Sequence, residues 1–264
     1  PELNAADGLP TDYMAAGYKA YAVDADWYSV VAPTEVASEA ALMSAIAANK
    51  PVILTSDIVL DNVLVLNSDA TIVLNGKTIT SGVFAESNGT INEGTTDSYV
   101  FWVKEGATLT INGNGTLEAV SGNDGYTVIS EGTVIINGGT FTNNDISPRT
   151  LTSHVVDVED GSTHKLTING GTFEHLHSAT SGGVVINNWS AVTVDINGGS
   201  FSGGNYNVKV DGYGVLTVNS GNFDIDRNTN ILNWNQTTIK GGTFTSTKLN
   251  VWTGNGTTDS DEHN

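Results

Sequence analysis

The chain contains no cysteine, so neither disulfides nor thiolate metal sites can hold it together. Proline is scarce, at 5 of 264 residues, and glycine at 30 is unaccompanied by a triplet period, which excludes a collagen-like rod. Positive charge is the most telling shortage. Lys plus Arg total 10 against 29 Asp plus Glu, for a net charge of −19. Such a surface argues against a nucleic-acid partner, whose phosphates need a basic footprint. It argues equally against docking on anionic lipid. Apolar runs long enough for a membrane span are missing too, so no membrane insertion is expected. No secretory leader pattern is visible, and a start at Pro1 without Met suggests a piece cut from a longer product.

What the chain does have is a phrase that returns. TVIINGGTFTN (133–143) is followed by KLTINGGTFEH (165–175), VDINGGSFSG (194–203) and TIKGGTFTS (238–246). Anchored on Asn75, Asn112, Asn137, Asn169, Asn197, Asn219 and Lys240, the steps are 37, 25, 32, 28, 22 and 21 residues. The floor is constant and the excess varies, as expected of a fixed coil with loops of differing length. An apolar residue precedes each anchor: Leu74, Ile111, Ile136, Ile168, Ile196, Val218 and Ile239. Another follows: Ile79, Leu117, Phe141, Phe173, Phe201, Phe223 and Phe244, with one extra residue in the second copy. Apolar and polar positions alternate on both sides, so each copy reads as two short strands. Asn-Gly-Gly between them permits a bend at positive φ.

Short strands and bends repeating every 21–22 residues predict an all-β parallel solenoid with an N-terminal capping helix. Stacked coils would bring the Phe residues into one internal column. The Asn residues would form another column, each amide bonded to its neighbours along the axis. SEAALMSAIAAN (38–49) supplies the helix, with Ser38 as N-cap, Leu42, Met43 and Ile46 on one face, and Pro51 as the stop. Three segments follow from this: residues 1–33 as an arm and β-hairpin, with Asp24-Ala25-Asp26 at the bend; 34–252 as helix plus solenoid; and 253–264 as an acidic flexible tail.

The order of helix, PVILTSDIVLD, NSDATIVLNGKTIT and INGGTF turns resembles the right-handed parallel β-helix modules of bacterial cell-surface proteins and of phage tail and fibre proteins, within the pectate-lyase-like superfamily. The resemblance covers roughly 34–252. It implies a right-handed coil, an extracellular, cell-surface or virion location, and a homo-oligomer, a trimer in phage fibres of this kind. It is weak for function, because the superfamily holds lyases, glycosidases, adhesins and structural fibres.

Three function classes follow. The first is a non-enzymatic display or attachment module, with a surface glycan or a larger particle or shell protein as partner. Its candidate contacts are the outward residues beside each Phe, notably Thr140, Thr142, Thr172, Thr243 and Thr245. Trp189 and Trp234, each after an Asn, join them as aromatic faces on which sugar rings stack; Trp102 and Trp252 extend the set. An ice lattice is disfavoured by Glu118, Glu174 and Asp224, which interrupt the hydroxyl columns. The second class is a polysaccharide lyase or glycosidase, which needs paired carboxylates or a base beside Ca²⁺. Its candidates crowd the insertion 143–164, with Asp145, Arg149, His154, Asp157, Glu159, Asp160 and His164. No catalytic residue and no metal site is assigned. His175-x-His177 reads as a scaffold pair, and DIDRNTN (224–230) lacks the Gly and Glu of an EF-hand loop, which leaves Ca²⁺ as the only cofactor worth testing. The third class is a purely structural spacer.

Overall fold

The computed structural model describes residues 2–4, 19–22, 27–82, 84–85, 96–120, 124–143, 154–158, 165–176, 183–187, 192–210, 214–225, 229–233, 235–246 and 251–253. It is all-β, with three long sheets whose strands run parallel and one short antiparallel sheet near the N-terminus. The first long sheet runs from Thr34–Val36 to Thr237–Ile239, and the second from Ile58–Val59 to Thr243–Ser246. The third extends from Thr96–Val103 to Val251–Thr253, with Leu64–Leu66 and an antiparallel edge strand, Phe84–Ala85, on its other side. From Val52 to Thr253 the chain visits first, second and third sheets in that order, in eight circuits. This cyclic course is compatible with the solenoid that the repeat predicts.

The recurring phrase is the corner between the first and second sheets. Thr133–Ile136 ends the first-sheet strand, Asn-Gly-Gly turns, and Thr140–Asn143 begins the second. The second glycine of each corner has positive φ: +101° at Gly139, +111° at Gly171, +106° at Gly199, +143° at Gly221 and +123° at Gly242. An L side chain is strained there. Space is short as well: a Cβ on Gly171 would sit 2.9 Å from the Gly139 carbonyl oxygen. The variable lengths fall at the other two corners, which explains why the anchors are unevenly spaced.

The buried columns follow from register. Ile72, Ile111, Ile136, Ile168, Ile196, Val218 and Ile239 are paired in turn across the first sheet. In the second, Ile79, Leu117, Phe141, Phe173, Phe201, Phe223 and Phe244 are paired likewise. From Phe141 onward the rings stack 4.8–4.9 Å apart and within 13° of parallel. Strand spacing imposes that distance, because each ring hangs from the same position in successive coils. Each buried Phe contributes on the order of 1.5–3 kcal/mol from burial alone.

The Asn column forms as expected, at the outer rim of the corner. Each Nδ2 donates to the Oδ1 before it: Asn137 to Asn112 at 2.9 Å, Asn169 to Asn137 and Asn197 to Asn169 at 2.7 Å, and Asn219 to Asn197 at 2.6 Å. Asn75 is a correction. Register places Ile72 beside Ile111 and Val73 beside Asn112, so the first coil carries two surplus residues and Ile72 takes the place expected of Leu74. Asn75 sits at φ +53° and donates instead to the Leu54 carbonyl oxygen at 2.9 Å, while Leu74 is fully buried under the corner.

The helix spans Glu39–Ala47, with the Ser38 hydroxyl accepting from the Ala41 amide. Leu42, Ala45 and Ile46 pack into the core, but Met43 is 49% exposed and belongs to the outer face. The helix closes before Pro51, through Asn49 at φ +52°. The Glu39 carboxylate accepts from the Asp61 and Asn62 amides, pinning the helix to the first circuit. Lys19–Ala22 and Trp27–Val31 pair antiparallel as the expected hairpin strands, and Glu2–Asn4, read from sequence as arm, adds a third strand. The hairpin bend and the tail beyond Thr253 lie outside the described residues.

Candidate functional site

The outward positions of the second sheet form two register rows. One is Thr78, Thr116, Thr140, Thr172, Ser200, Asn222 and Thr243; the other is Thr80, Glu118, Thr142, Glu174, Ser202, Asp224 and Thr245. All are half-buried or exposed. The structure therefore brings Thr140, Thr142, Thr172, Thr243 and Thr245 onto one face. Their side chains project because the Phe between them is driven inward, and alternation along a strand does the rest.

The acidic residues, expected only as interruptions, prove ordered. Along their row hydroxyl and carboxylate alternate from Thr80 to Thr245 without exception. Two unit charges one coil apart, at about 4.8 Å, repel by roughly 0.9 kcal/mol even in bulk water, and about half that two coils apart. Like charges directly opposite on neighbouring strands are unfavourable. That disfavours adjacent carboxylates. It does not explain why acids recur here, or why they lack counter-charges. Among the described residues Glu118 meets only the Thr80 hydroxyl, at 3.3 Å, and Glu174 and Asp224 have no ion-pair partner.

A second hydroxyl face escaped the sequence reading. On the first sheet Thr71, Thr110, Ile135, Thr167, Asp195, Thr217 and Thr238 share an outward row, flanked by Thr108, Thr133, Lys165, Thr193 and Val215. The signal was present in TLTIN, KLTIN and VLTVN, two residues before each anchor. This face differs in one respect: its carboxylate, Asp195, is neutralised by Lys165 at 3.2 Å.

Other candidates disperse. Trp189 and Trp234 lie outside the described residues. Trp102 is 7% exposed, donates its indole N–H to Glu131 at 2.9 Å, and carries the Lys104 ammonium 3.2 Å from its ring centroid. It packs with Val63, Tyr99, Tyr126 and Ile129 on the outside of the third sheet, so its ring is not open to a sugar. Trp252 takes a strand place beside Leu232. The insertion is interrupted by a third-sheet strand, His154–Val158, whose Val155 and Val156 are buried; Asp145, Arg149, Glu159, Asp160 and His164 lie outside the described residues. His175 is 3% exposed at the end of a second-sheet strand, beside Asn143, and His177 is not described. In 224–230, Asp224 faces outward while Asn230 is buried, donating to Asn207 Oδ1 at 2.8 Å and to the Thr245 carbonyl oxygen at 3.1 Å, so the two cannot close on one ion.

Among the described residues no group of three His, Cys, Asp or Glu side chains is placed to hold a metal ion. No described helix is long and apolar enough to cross a membrane. Comparison with family models, with curated proteins and with solved structures finds no match to the chain.

Proposed function

We propose that the chain is a rigid attachment or display module, non-enzymatic, of a cell surface or virion, and that it meets a glycan or a larger particle through the outward face of its second sheet. The observation that carries this reading is the pair of straight hydroxyl-rich rows through Thr140, Thr142, Thr172, Thr243 and Thr245. Side chains locked to a backbone period of about 4.8 Å present donors and acceptors at fixed intervals, so little side-chain order is lost on meeting a regular polymer. A right-handed β-helix of the pectate-lyase-like kind is the finer fold we infer, since parallel crossovers are right-handed almost without exception. The strongly negative net charge keeps such a module soluble and away from other anionic surfaces.

The test is a glycan array probed with the purified chain, with and without Ca²⁺, scoring retention and cleavage of each spot. We expect retention without cleavage, lost when Thr140, Thr142 and Thr172 are replaced together by Val. Cleavage of any spot would move the chain to the polysaccharide-degrading class. Silence throughout would favour a structural spacer.

A further inference from the structure

The two hydroxyl faces differ in charge, and the difference indicates what the second-sheet face takes. On the first sheet Asp195 has its own cation in Lys165, one coil away. On the second sheet Glu118, Glu174 and Asp224 stand in one row with hydroxyls between them and no described cation in reach. An exposed array of like charge without internal counter-ions is complementary to a partner carrying the opposite sign. The spacing narrows the partner further. Carboxylates recur every second coil, about 9.6 Å apart along a straight row. One disaccharide of an extended β-linked hexose polymer covers about that length. Between carboxylates, Thr142 and Ser202 in the same row, and Thr140, Thr172 and Ser200 in the neighbouring one, offer hydroxyls where such a polymer carries its own.

We propose that this face binds a β-linked amino-sugar polymer bearing free amines, with alternate ammonium groups on Glu118, Glu174 and Asp224 and ring hydroxyls on the Thr and Ser between them. The proposal rests on the attachment reading and names its ligand class. It turns the acids from flaws in a hydroxyl lattice into the specificity elements of the face. The N-acetylated polymer of the same linkage has the same length and hydroxyls but no charge, and would be discriminated against.

The probes are β-1,4-linked glucosamine oligomers, their N-acetylated counterparts, and oligolysine, titrated by calorimetry in EDTA at mildly acidic pH, where the sugar amines are charged. The chain should bind the free-amine oligomer and not the acetylated one. Glu118→Gln/Glu174→Gln/Asp224→Asn should weaken binding by about tenfold or more, the scale of three solvated charge contacts. A control that also removes three exposed carboxylates, Glu35→Gln/Asp61→Asn/Glu105→Gln, should bind as the parent does. Equal binding of the acetylated oligomer, equal loss in the control, equally tight binding of oligolysine, or no binding at all would each overturn the proposal. If amino-sugar oligomers fail while neutral or acidic glycans are retained on the array, the attachment reading survives and this ligand class falls.

Discussion

At the residue scale, the two glycines of one corner do different work. Gly171 needs its φ of +111° and has a carbonyl oxygen 2.9 Å from where a Cβ would stand; Gly170 has ordinary φ and nothing closer than 3.4 Å. The sixth corner already makes the substitution at the first position, where Ser220 precedes Gly221. Gly171→Ala should therefore cost about 1–3 kcal/mol, while Gly170→Ala should fall within about 0.5 kcal/mol of the parent. Urea denaturation of the two variants side by side checks this, and equal losses would mean the corner relaxes more freely than its geometry suggests. Elsewhere Gly203 is tighter still, with a Cβ meeting the His175 carbonyl oxygen at 2.1 Å. The backbone crosses so closely there that only glycine fits, at a place the repeat phrase does not mark.

At the scale of elements, the exposed and the buried amides invite a contrast. Asn169 links Asn137 and Asn197 in the corner ladder but is open to water. Asn230 is fully buried, tying Asn207 to the Thr245 backbone. Asn169→Ala should cost about 1 kcal/mol or less, because water replaces what is lost. Asn230→Ala should cost about 2–3 kcal/mol, since it leaves buried acceptors unpartnered and a small void. Thermal unfolding of the pair gives the order, and a reversal would mean the ladder carries more of the stability than the interior corner. The same contrast explains what was legible. Asn-Gly-Gly and the Phe four residues on are dictated by local geometry in every coil, so first and second sheets could be read from the text. The third sheet could not. Thr96–Val103 is buried on both faces, His154–Val158 hides inside an insertion, and Gly183–Asn187 follows a loop, so none shows a fixed phrase or clean alternation. Trp102 and Met43 were misplaced for a related reason: one aromatic or apolar side chain carries no mark of which neighbour covers it. The alternation of acid and hydroxyl was in the sequence throughout, but only register across coils of unequal length puts Glu118, Glu174 and Asp224 in one line.

At the scale of the molecule, a stack in which each coil touches only its neighbours should behave as a sum of coils and interfaces. One whole coil is then removable where half a coil is not. Excising residues 198–219 joins Asn197 to Ser220, and every row closes up: Phe173 meets Phe223, Thr172 meets Asn222, and Ile196 stays in its column. The far-UV circular dichroism should remain that of the parent, while removal of 198–208 alone should abolish it, because it sets a first-sheet residue where a third-sheet one belongs. The closed-up chain also carries a defect that the parent avoids. With Ser202 gone, Glu174 stands next to Asp224, one coil apart instead of two, at a repulsion of roughly 0.9 kcal/mol in water. Glu174→Gln should therefore stabilise the shortened chain by about that amount and leave the parent nearly unchanged, where the nearest carboxylates are twice as far away. Raised salt should shrink the difference, since exposed charges are screened within about 10 Å at 0.1 M. If the substitution acts equally on both chains, charge spacing is irrelevant to the stability of this face, and the alternation would have to be explained by what the face binds.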